Sequence, residues 1–193
     1  MANKDYVPYF NGADSVEVAL YSHAHLAVAI GHEMGYRLTA HGSSWGRGPT
    51  ELKFDRDDSE AARVRAAWAG YHYGVNGAWW ATALPPGAPP GALSPQEAGK
   101  HRLKLFLVTR SSLRTARLRL AMAESLVLAV TVFFAFTAWP LALATGAFGV
   151  LLLVATPLTK ARRDATAAGH RDVLARFEAQ RVFWSYEGKG DGG

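Results

Sequence analysis

The sequence predicts a mostly α-helical membrane protein: a two-helix transmembrane hairpin with long cytoplasmic helical extensions and a small N-terminal domain that is either α+β or helical. Two observations carry this prediction, namely a long apolar stretch in the second half of the chain and the basic charge around it. Residues 1–99 hold ten acidic and seven basic residues, whereas residues 100–193 hold six and fourteen. Basic charge around an apolar block indicates a lipid bilayer as partner, and no nucleic acid is expected.

Residues 1–83 are expected to form an N-terminal cytoplasmic domain. A helix is predicted over residues 16–34, because an Asp-Ser pair can cap its start and a glycine can close its end. Residues 36–40 and 51–55 alternate between apolar and polar types, which is typical of two short strands around a glycine-rich turn. A second helix is predicted over residues 57–71.

The turn between the two predicted strands contains the candidate ligand-binding residues. Its backbone amides and the guanidinium of Arg47 could hold a phosphate. The turn lacks the Gly-Lys-Ser/Thr step of a P-loop, so a plain connecting loop is the alternative. A serine nucleophile would need a base, and closeness to a histidine in sequence does not establish the geometry. The weak candidates are therefore His41, Ser43, Ser44 and Arg47.

No metal site or catalytic constellation is predicted. The chain has no cysteine, which excludes thiolate zinc sites and cysteine nucleophiles. His25 and His32 share a face of the predicted helix, but they are seven residues apart, farther than the four-residue step that lets two imidazoles hold one zinc ion. Asp55, Asp57 and Asp58 are expected to be charges at a strand end and a helix start. No cofactor is expected, and the protein is not expected to be an enzyme.

An aromatic patch and a linker end the N-terminal domain. The patch fits core packing or anchoring at a membrane surface, and an interface anchor or a ligand platform is the alternative. Residues 84–94 are rich in proline and glycine and are predicted to be a linker. The aromatic residues of the patch are Tyr71, Tyr73, Trp79 and Trp80.

A basic cytoplasmic helix is predicted over residues 95–120. Ser94 can cap its start, and Glu97 stands where the reciprocal partner of a capping box belongs. Its last turns bring cations to the edge of the apolar stretch. These membrane-flanking charges are Arg114, Arg117 and Arg119.

Residues 121–158 are predicted to form the transmembrane hairpin. The stretch is about twice as long as the roughly 20 apolar residues of one crossing. Trp139 and Pro140 predict the turn in its middle, because proline disfavours helix at the residue before it. Gly146 and Gly149 on the second span would let the two helices approach closely.

A cytoplasmic C-terminal helix is predicted over residues 159–187, before a flexible tail over residues 188–193. Its apolar stripe is expected to pack against the basic helix in an antiparallel stalk. Cations precede the first span and follow the second, whereas the turn has none, so both termini are expected in the cytoplasm and the hairpin in the inner membrane. The cations that follow the hairpin are Lys160, Arg162 and Arg163.

The second half of the chain resembles the SLATT domains, which are two-transmembrane effector domains associated with bacterial nucleotide-second-messenger and antiviral systems. The resemblance covers about residues 95–188. It depends on the helix–hairpin–helix outline and on the stretches 171–178 and 183–186, which look like the post-membrane helix of that family. It implies an oligomerising effector that perforates or depolarises the inner membrane after a cytoplasmic signal, with the N-terminal domain as sensor.

These expectations favour two functional classes over a third, an enzyme with His25, His32, His41 or Ser43 as participants, because no catalytic constellation has convincing spacing. The first is a two-pass inner-membrane protein that acts as a signal-gated membrane effector. The second is a non-enzymatic membrane anchor or scaffold for a cytoplasmic protein assembly. Both classes predict a homo-oligomer or a protein partner.

Overall fold

The chain folds into two compact units, seen in a computed structural model. The first unit comprises Met1–Phe106 and His170–Gly193, and the second comprises Leu107–Gly169. The structure describes residues 6–43, 48–110, 122, 125–133, 135–136 and 139–186.

The first unit contains a three-stranded antiparallel sheet. Its strands are β1 (Ser15–Leu20), β2 (Tyr36–Ser43) and β3 (Thr50–Arg56), and β3 lies in the middle. Apolar side chains alternate along β1 and β3 and face the core, whereas the intervening residues face outward. The two strands predicted from the alternating pattern are therefore confirmed as β2 and β3.

The first predicted helix is wrong over residues 16–23. Residues 15–20 are strand β1, and helix α1 covers only Ala24–Glu33. The chain turns at His23, whose φ of 62° is left-handed. Strand pairing with β3 buries every second residue of β1, and this pairing overrides the helical spacing of the same apolar residues.

Helix α2 (Glu60–Asn76) confirms the second predicted helix and extends it. The side chain of Ser59 caps its start by accepting a hydrogen bond from the amide of Ala62 at 3.3 Å. Gly77, with a φ of 76°, ends the helix in the left-handed conformation that glycine adopts without strain. The helix lies against α1 in the first unit.

The predicted linker forms two successive turns of the same sequence, Pro-Pro-Gly-Ala. Ala88 N donates to Pro85 O at 3.1 Å, and Ala92 N donates to Pro89 O at 3.0 Å. The third residue of each turn is a glycine with positive φ, as a type II turn requires. We call these residues, 85–92, the twin turns.

Helix α3 (Pro95–Arg110) starts with the predicted capping box. The hydroxyl of Ser94 accepts from the amide of Glu97 at 3.2 Å, and the Glu97 carboxylate accepts from the amide of Ser94 at 3.0 Å. The helix lies tightly on α1, because a Cβ at Gly99 would stand 2.2 Å from the carbonyl oxygen of His25.

The last helix, α4 (Trp139–Ala179), is 41 residues long and crosses from the second unit into the first at His170. In the first unit it runs antiparallel to α3, as the stalk prediction expects. His101 Nδ1 and His170 Nδ1 share a hydrogen bond at 3.0 Å, and Ala98 packs against the fully buried Phe177 further along α4.

The second unit is helical where it is described. Residues 125–133 are helical, and a Cβ at Gly146 would lie 3.7 Å from the Thr131 methyl group, an ordinary contact distance. Arg163 Nη2 donates to the carbonyl oxygen of Thr109 at 3.1 Å, whereas Lys160 and Arg162 are exposed. The predicted flanking charges Arg114, Arg117 and Arg119 lie outside the described residues, and the structure does not test a packing role for Gly149.

Within the described ranges, no helix combines the length and the apolar composition needed to cross a membrane. The predicted transmembrane hairpin, the membrane fold class and the inner-membrane location are wrong on this finding. Trp139 and Pro140, predicted as the turn, are the first residues of α4, a position that proline tolerates because it needs no amide donor there. The helix continues into the charged segment that begins at Lys160.

Candidate ligand-binding site

The C-terminal segment of the first unit is fixed by a buried ion pair. Arg181, just after α4, donates to both carboxylate oxygens of Glu33 on α1, at 2.6 and 2.9 Å. The Glu33 side chain is fully buried and that of Arg181 is 6% exposed. Arg181 also donates to the hydroxyl of Thr82 at 3.0 Å, so the pair is well satisfied.

Further charges surround this pair on α3 and α4. Arg102 donates to Glu178 at 2.6 Å, and Arg181 donates to the other oxygen of Glu178 at 3.0 Å. The guanidinium groups of Arg102 and Arg181 lie over the Phe177 ring, 5.1 and 5.6 Å from its centroid. We call the set Glu33, Arg102, Glu178 and Arg181 the ionic latch.

Burial and the neighbouring charges act in opposite directions on the ionisable groups around Glu178. Burial, together with the charge of Arg102, lowers the pKa of His32 to about 4. Burial alone would raise the pKa of Glu178, but the hydrogen bond from His32 and the charge of Arg181 hold that pKa well below its ordinary value. Burial lowers the pKa of Arg102 to about 10, which leaves this group charged at neutral pH.

An open cleft of about 940 Å³ lies where the helices of the first unit meet. Trp80 stands in its wall with its ring 5.4 Å from that of Trp79, at an interplanar angle of 87°. Helices α1, α2 and α3 each contribute to the lining. We call it the Trp80 cleft, and its lining residues include Leu26, Ile30, Tyr73, Trp79, Trp80 and Gln96.

The chemistry of the Trp80 cleft is uncharged. Among the described residues, the lining has no acidic or basic side chain. Ser94 also lines the cleft, but its hydroxyl is engaged by Glu97 in the capping box. Exposed Gln96 contributes an amide that can donate and accept. Such a lining suits an apolar ligand with few hydrogen-bonding groups.

A second aromatic cluster encloses His72 on α2. Its imidazole is fully buried, and neither ring nitrogen has a hydrogen-bond partner within the described residues. Four rings surround it, with centroids 4.6 to 6.0 Å from that of His72. We call this cluster the His72 box, and its four rings belong to Trp68, Tyr71, Trp184 and Tyr186.

A second cavity, of about 580 Å³, lies beneath the twin turns. It is open to solvent, and its lining includes prolines of the twin turns, Trp184 and Tyr186 of the His72 box and Trp80 of the first cleft. Trp80 and Leu84 border both cavities, so the two share a wall.

The candidates predicted in the strand-connecting turn are not brought together with these cavities. His41 is half-buried on β2, opposite Leu52 of β3. Ser43 is the last residue of β2. Ser44 and Arg47 lie outside the described residues.

Metal ligands are also not gathered into a site. Within the part of the chain that the structure describes, no group of three or more His, Asp or Glu side chains could hold a metal ion. His25 and His32 both lie on α1, but His32 turns to Glu178, at 3.2 Å. The ion pair of Arg56 with Asp58 shows that an acidic residue near β3 serves as a structural charge.

Sequence reasoning missed most of the site. It named Tyr71, Tyr73, Trp79 and Trp80 as a patch, with a ligand platform as one alternative, and it placed the stretch 183–186 in a predicted post-membrane helix, but it did not single out His72. The repeated Pro-Pro-Gly-Ala was the available signal for an ordered segment near those rings. The Glu33–Arg181 pair joins residues 148 positions apart, and no local pattern announces it.

Comparison with protein-family models, with curated proteins and with solved structures finds no match to this chain. The resemblance to the SLATT domains accordingly stays a prediction. The candidate site is defined by its own geometry: two adjoining uncharged cavities with aromatic walls, on a core fixed by an ionic latch.

Proposed function

We propose that the first unit is a non-catalytic binding module for a neutral, planar aromatic ligand, held in the Trp80 cleft. The observation that carries the proposal is a cleft of about 940 Å³ with an aromatic, uncharged lining among the described residues. Ligand sites in proteins are typically concave and mostly apolar, with a few polar groups that fix the orientation. The sensor role expected of the N-terminal domain is compatible with such binding.

The lining also limits the ligand. A charged group moved from water into this cleft would lose its hydration without finding an opposite charge, which costs far more than an unpaired neutral group. Aromatic rings pack favourably against indoles in offset or edge-to-face arrangements. The indoles of Trp79 and Trp80 both line the cleft and stand at nearly right angles to each other. A neutral compound with two fused rings is therefore the simplest fit.

Calorimetric titration of the full chain with 2-naphthalenemethanol tests the proposal. We expect measurable binding, and at least about tenfold weaker binding of the carboxylate analogue 2-naphthoate, a difference of about 1.4 kcal/mol or more. Trp80→Ala should weaken binding of the alcohol by about tenfold or more, because it removes the ring that forms the cleft wall. Trp68→Ala is the matched control, since Trp68 does not line the Trp80 cleft.

Two results would contradict the proposal. One is equal affinity for the alcohol and the carboxylate, which would show that the site does not discriminate against a charged ligand. The other is an affinity for the alcohol that Trp80→Ala and Trp68→Ala lower to the same extent.

A further inference from the structure

His72 carries an unmet demand for hydrogen bonds. The imidazole is fully buried, and both of its nitrogens lack a partner in the described part of the chain. Burying a polar group without a partner opposes folding, so native proteins satisfy nearly all such groups. A neutral imidazole has one donor nitrogen and one acceptor nitrogen. A ligand hydroxyl can both donate and accept, so it could form a hydrogen bond with whichever ring nitrogen it reaches.

The ring of Tyr186 occupies the most exposed side of the His72 box. Its centroid lies 5.3 Å from that of His72 and 4.7 Å from that of Trp184. The Tyr186 hydroxyl accepts a hydrogen bond from the side-chain amide of Asn76 and leaves the imidazole unpaired. The phenol ring of Tyr186 thus shows that a phenol fits the His72 box, although the hydroxyl of this tyrosine bonds to Asn76 and not to His72.

The segment that carries Tyr186 is lightly held. Val182–Ser185 form neither helix nor strand, and Tyr186 is 36% exposed. The bonds that attach the segment include Val182 N to Thr82 O at 2.9 Å, Trp184 Nε1 to Ala81 O at 3.3 Å and Tyr186 N to the Tyr71 hydroxyl at 3.4 Å. Tyr186 is also held by the hydrogen bond from Asn76 to its hydroxyl. None of these bonds involves a residue of the ionic latch, so the Tyr186 side chain can leave without breaking the latch.

The cavity beneath the twin turns supplies the space next to Tyr186. It measures about 580 Å³, and Trp184 and Tyr186 form part of its wall. The side chains that the described residues contribute to its lining are uncharged. Tyr186 lines this cavity and its ring also packs against that of His72, so a neutral ring that displaces Tyr186 from this side would contact His72.

We propose that Tyr186 occupies a second binding site of the chain, a site for a neutral phenolic ligand with His72 as its polar anchor. A bound phenol replaces the Tyr186 ring among Trp68, Tyr71 and Trp184 and exchanges hydrogen bonds with the imidazole. The ligand class follows from the present occupant of the box and from the unpaired nitrogens behind it. The site is separate from the Trp80 cleft, and the two share only Trp80 and Leu84 as a wall.

The test compares 4-ethylphenol with 4-ethylanisole, whose methyl ether cannot donate. In the full-length wild-type chain, we expect 4-ethylphenol to shift the imidazole resonances of His72 and the indole resonance of Trp184. Tyr186→Ala should raise the affinity for both probes by about tenfold, because the competing ring is gone. In either background 4-ethylphenol should bind more tightly than 4-ethylanisole, because only the phenol can donate to the acceptor nitrogen of His72. Tyr21→Ala is the control, since that tyrosine is 81% exposed and is not part of the box.

The role of His72 is tested by His72→Phe in the Tyr186→Ala background, where we expect the preference for the phenol over the ether to disappear. If Tyr186→Ala does not fold, Tyr186→Phe takes its place, and it should still raise the affinity because it loses the bond to Asn76. Equal affinities for the two probes, or His72 resonances that do not move at saturation, would overturn the proposal. The Trp79 resonance, which reports on the Trp80 cleft alone, separates this result from a failure of the first site.

Discussion

Two fully buried polar side chains, Glu33 and His72, lie in the same unit and are treated in opposite ways. Glu33 has two hydrogen bonds from Arg181, whereas His72 has no partner for either nitrogen within the described residues. A buried charge with a bidentate partner is tolerated only in one arrangement, so the ionic latch fixes the C-terminal segment. The imidazole of His72 is covered by the partly exposed ring of Tyr186, and any state that gives its nitrogens a hydrogen-bond partner is favoured. Arg181, which is held in the ionic latch, and Tyr186, which covers His72, therefore differ in how tightly they are held although they are only a few residues apart.

Removing the latch arginine should give the largest effect on stability. Arg181→Ala leaves the Glu33 carboxylate buried and uncompensated, and we expect it to lower the free energy of unfolding by about 3–5 kcal/mol. Arg176→Ala is the control, because Arg176 pairs with Asp172 on the surface and should cost less than about 0.5 kcal/mol. Urea unfolding followed by tryptophan fluorescence measures both. If Arg181→Ala lowers the free energy of unfolding no more than the control does, the claim that the Glu33–Arg181 pair fixes the C-terminal segment is wrong.

Acid should lower the free energy of unfolding, because His32 is held neutral next to the ionic latch. Burial holds the folded pKa of His32 at about 4, below its ordinary value of 6.5, so between these two pH values the unfolded chain binds the proton more readily. The contribution of neutral His32 to stability is therefore fully present above pH 6.5 and is lost as the pH falls towards 4, by about 3 kcal/mol in total. We expect His32→Asn to flatten this part of the profile in urea unfolding at stepped pH. A profile as steep as that of the wild type would show that other groups cause the loss.

The unpaired nitrogens of His72 predict that one substitution makes the chain more stable. His72→Phe keeps an aromatic ring in the box and removes two unpaired nitrogens, so we expect the free energy of unfolding to rise by about 1–3 kcal/mol. Thermal unfolding of the full chain measures the change. A loss of stability would mean that the imidazole already has partners, and the two buried groups would then not differ in kind.

Local patterns predicted the elements whose signals are local. The capping box of Ser94 and Glu97, the paired strands β2 and β3 and helix α2 all follow from spacing over a few residues. Strand β1 was missed because its apolar residues also fit helical spacing, and only pairing with β3 decides between the two. The latch and the His72 box join α1 and α2 to residues beyond 170, and such contacts have no signature in a single sequence.

The apolar stretch shows the opposite error, in which composition suggested more than the described structure supports. Its length and its basic flanks predicted two spans with a turn at Trp139 and Pro140. In the structure these residues open a helix of 41 residues that continues into a charged segment, and no described helix meets the requirements for crossing a membrane. A turn prediction that depends on one proline fails when that proline falls in the first turn of a helix.

The most direct test of the account is the indole N–H spectrum of the full chain during titration with 2-naphthalenemethanol. We predict that the Trp79 resonance shifts and saturates, while Trp68 keeps its position, because only the former lines the cleft. Assignment by single Trp→Phe variants makes the reading site-specific. A Trp79 resonance that does not move at concentrations up to about 1 mM, which corresponds to a binding free energy weaker than about −4 kcal/mol, would contradict the proposed binding function.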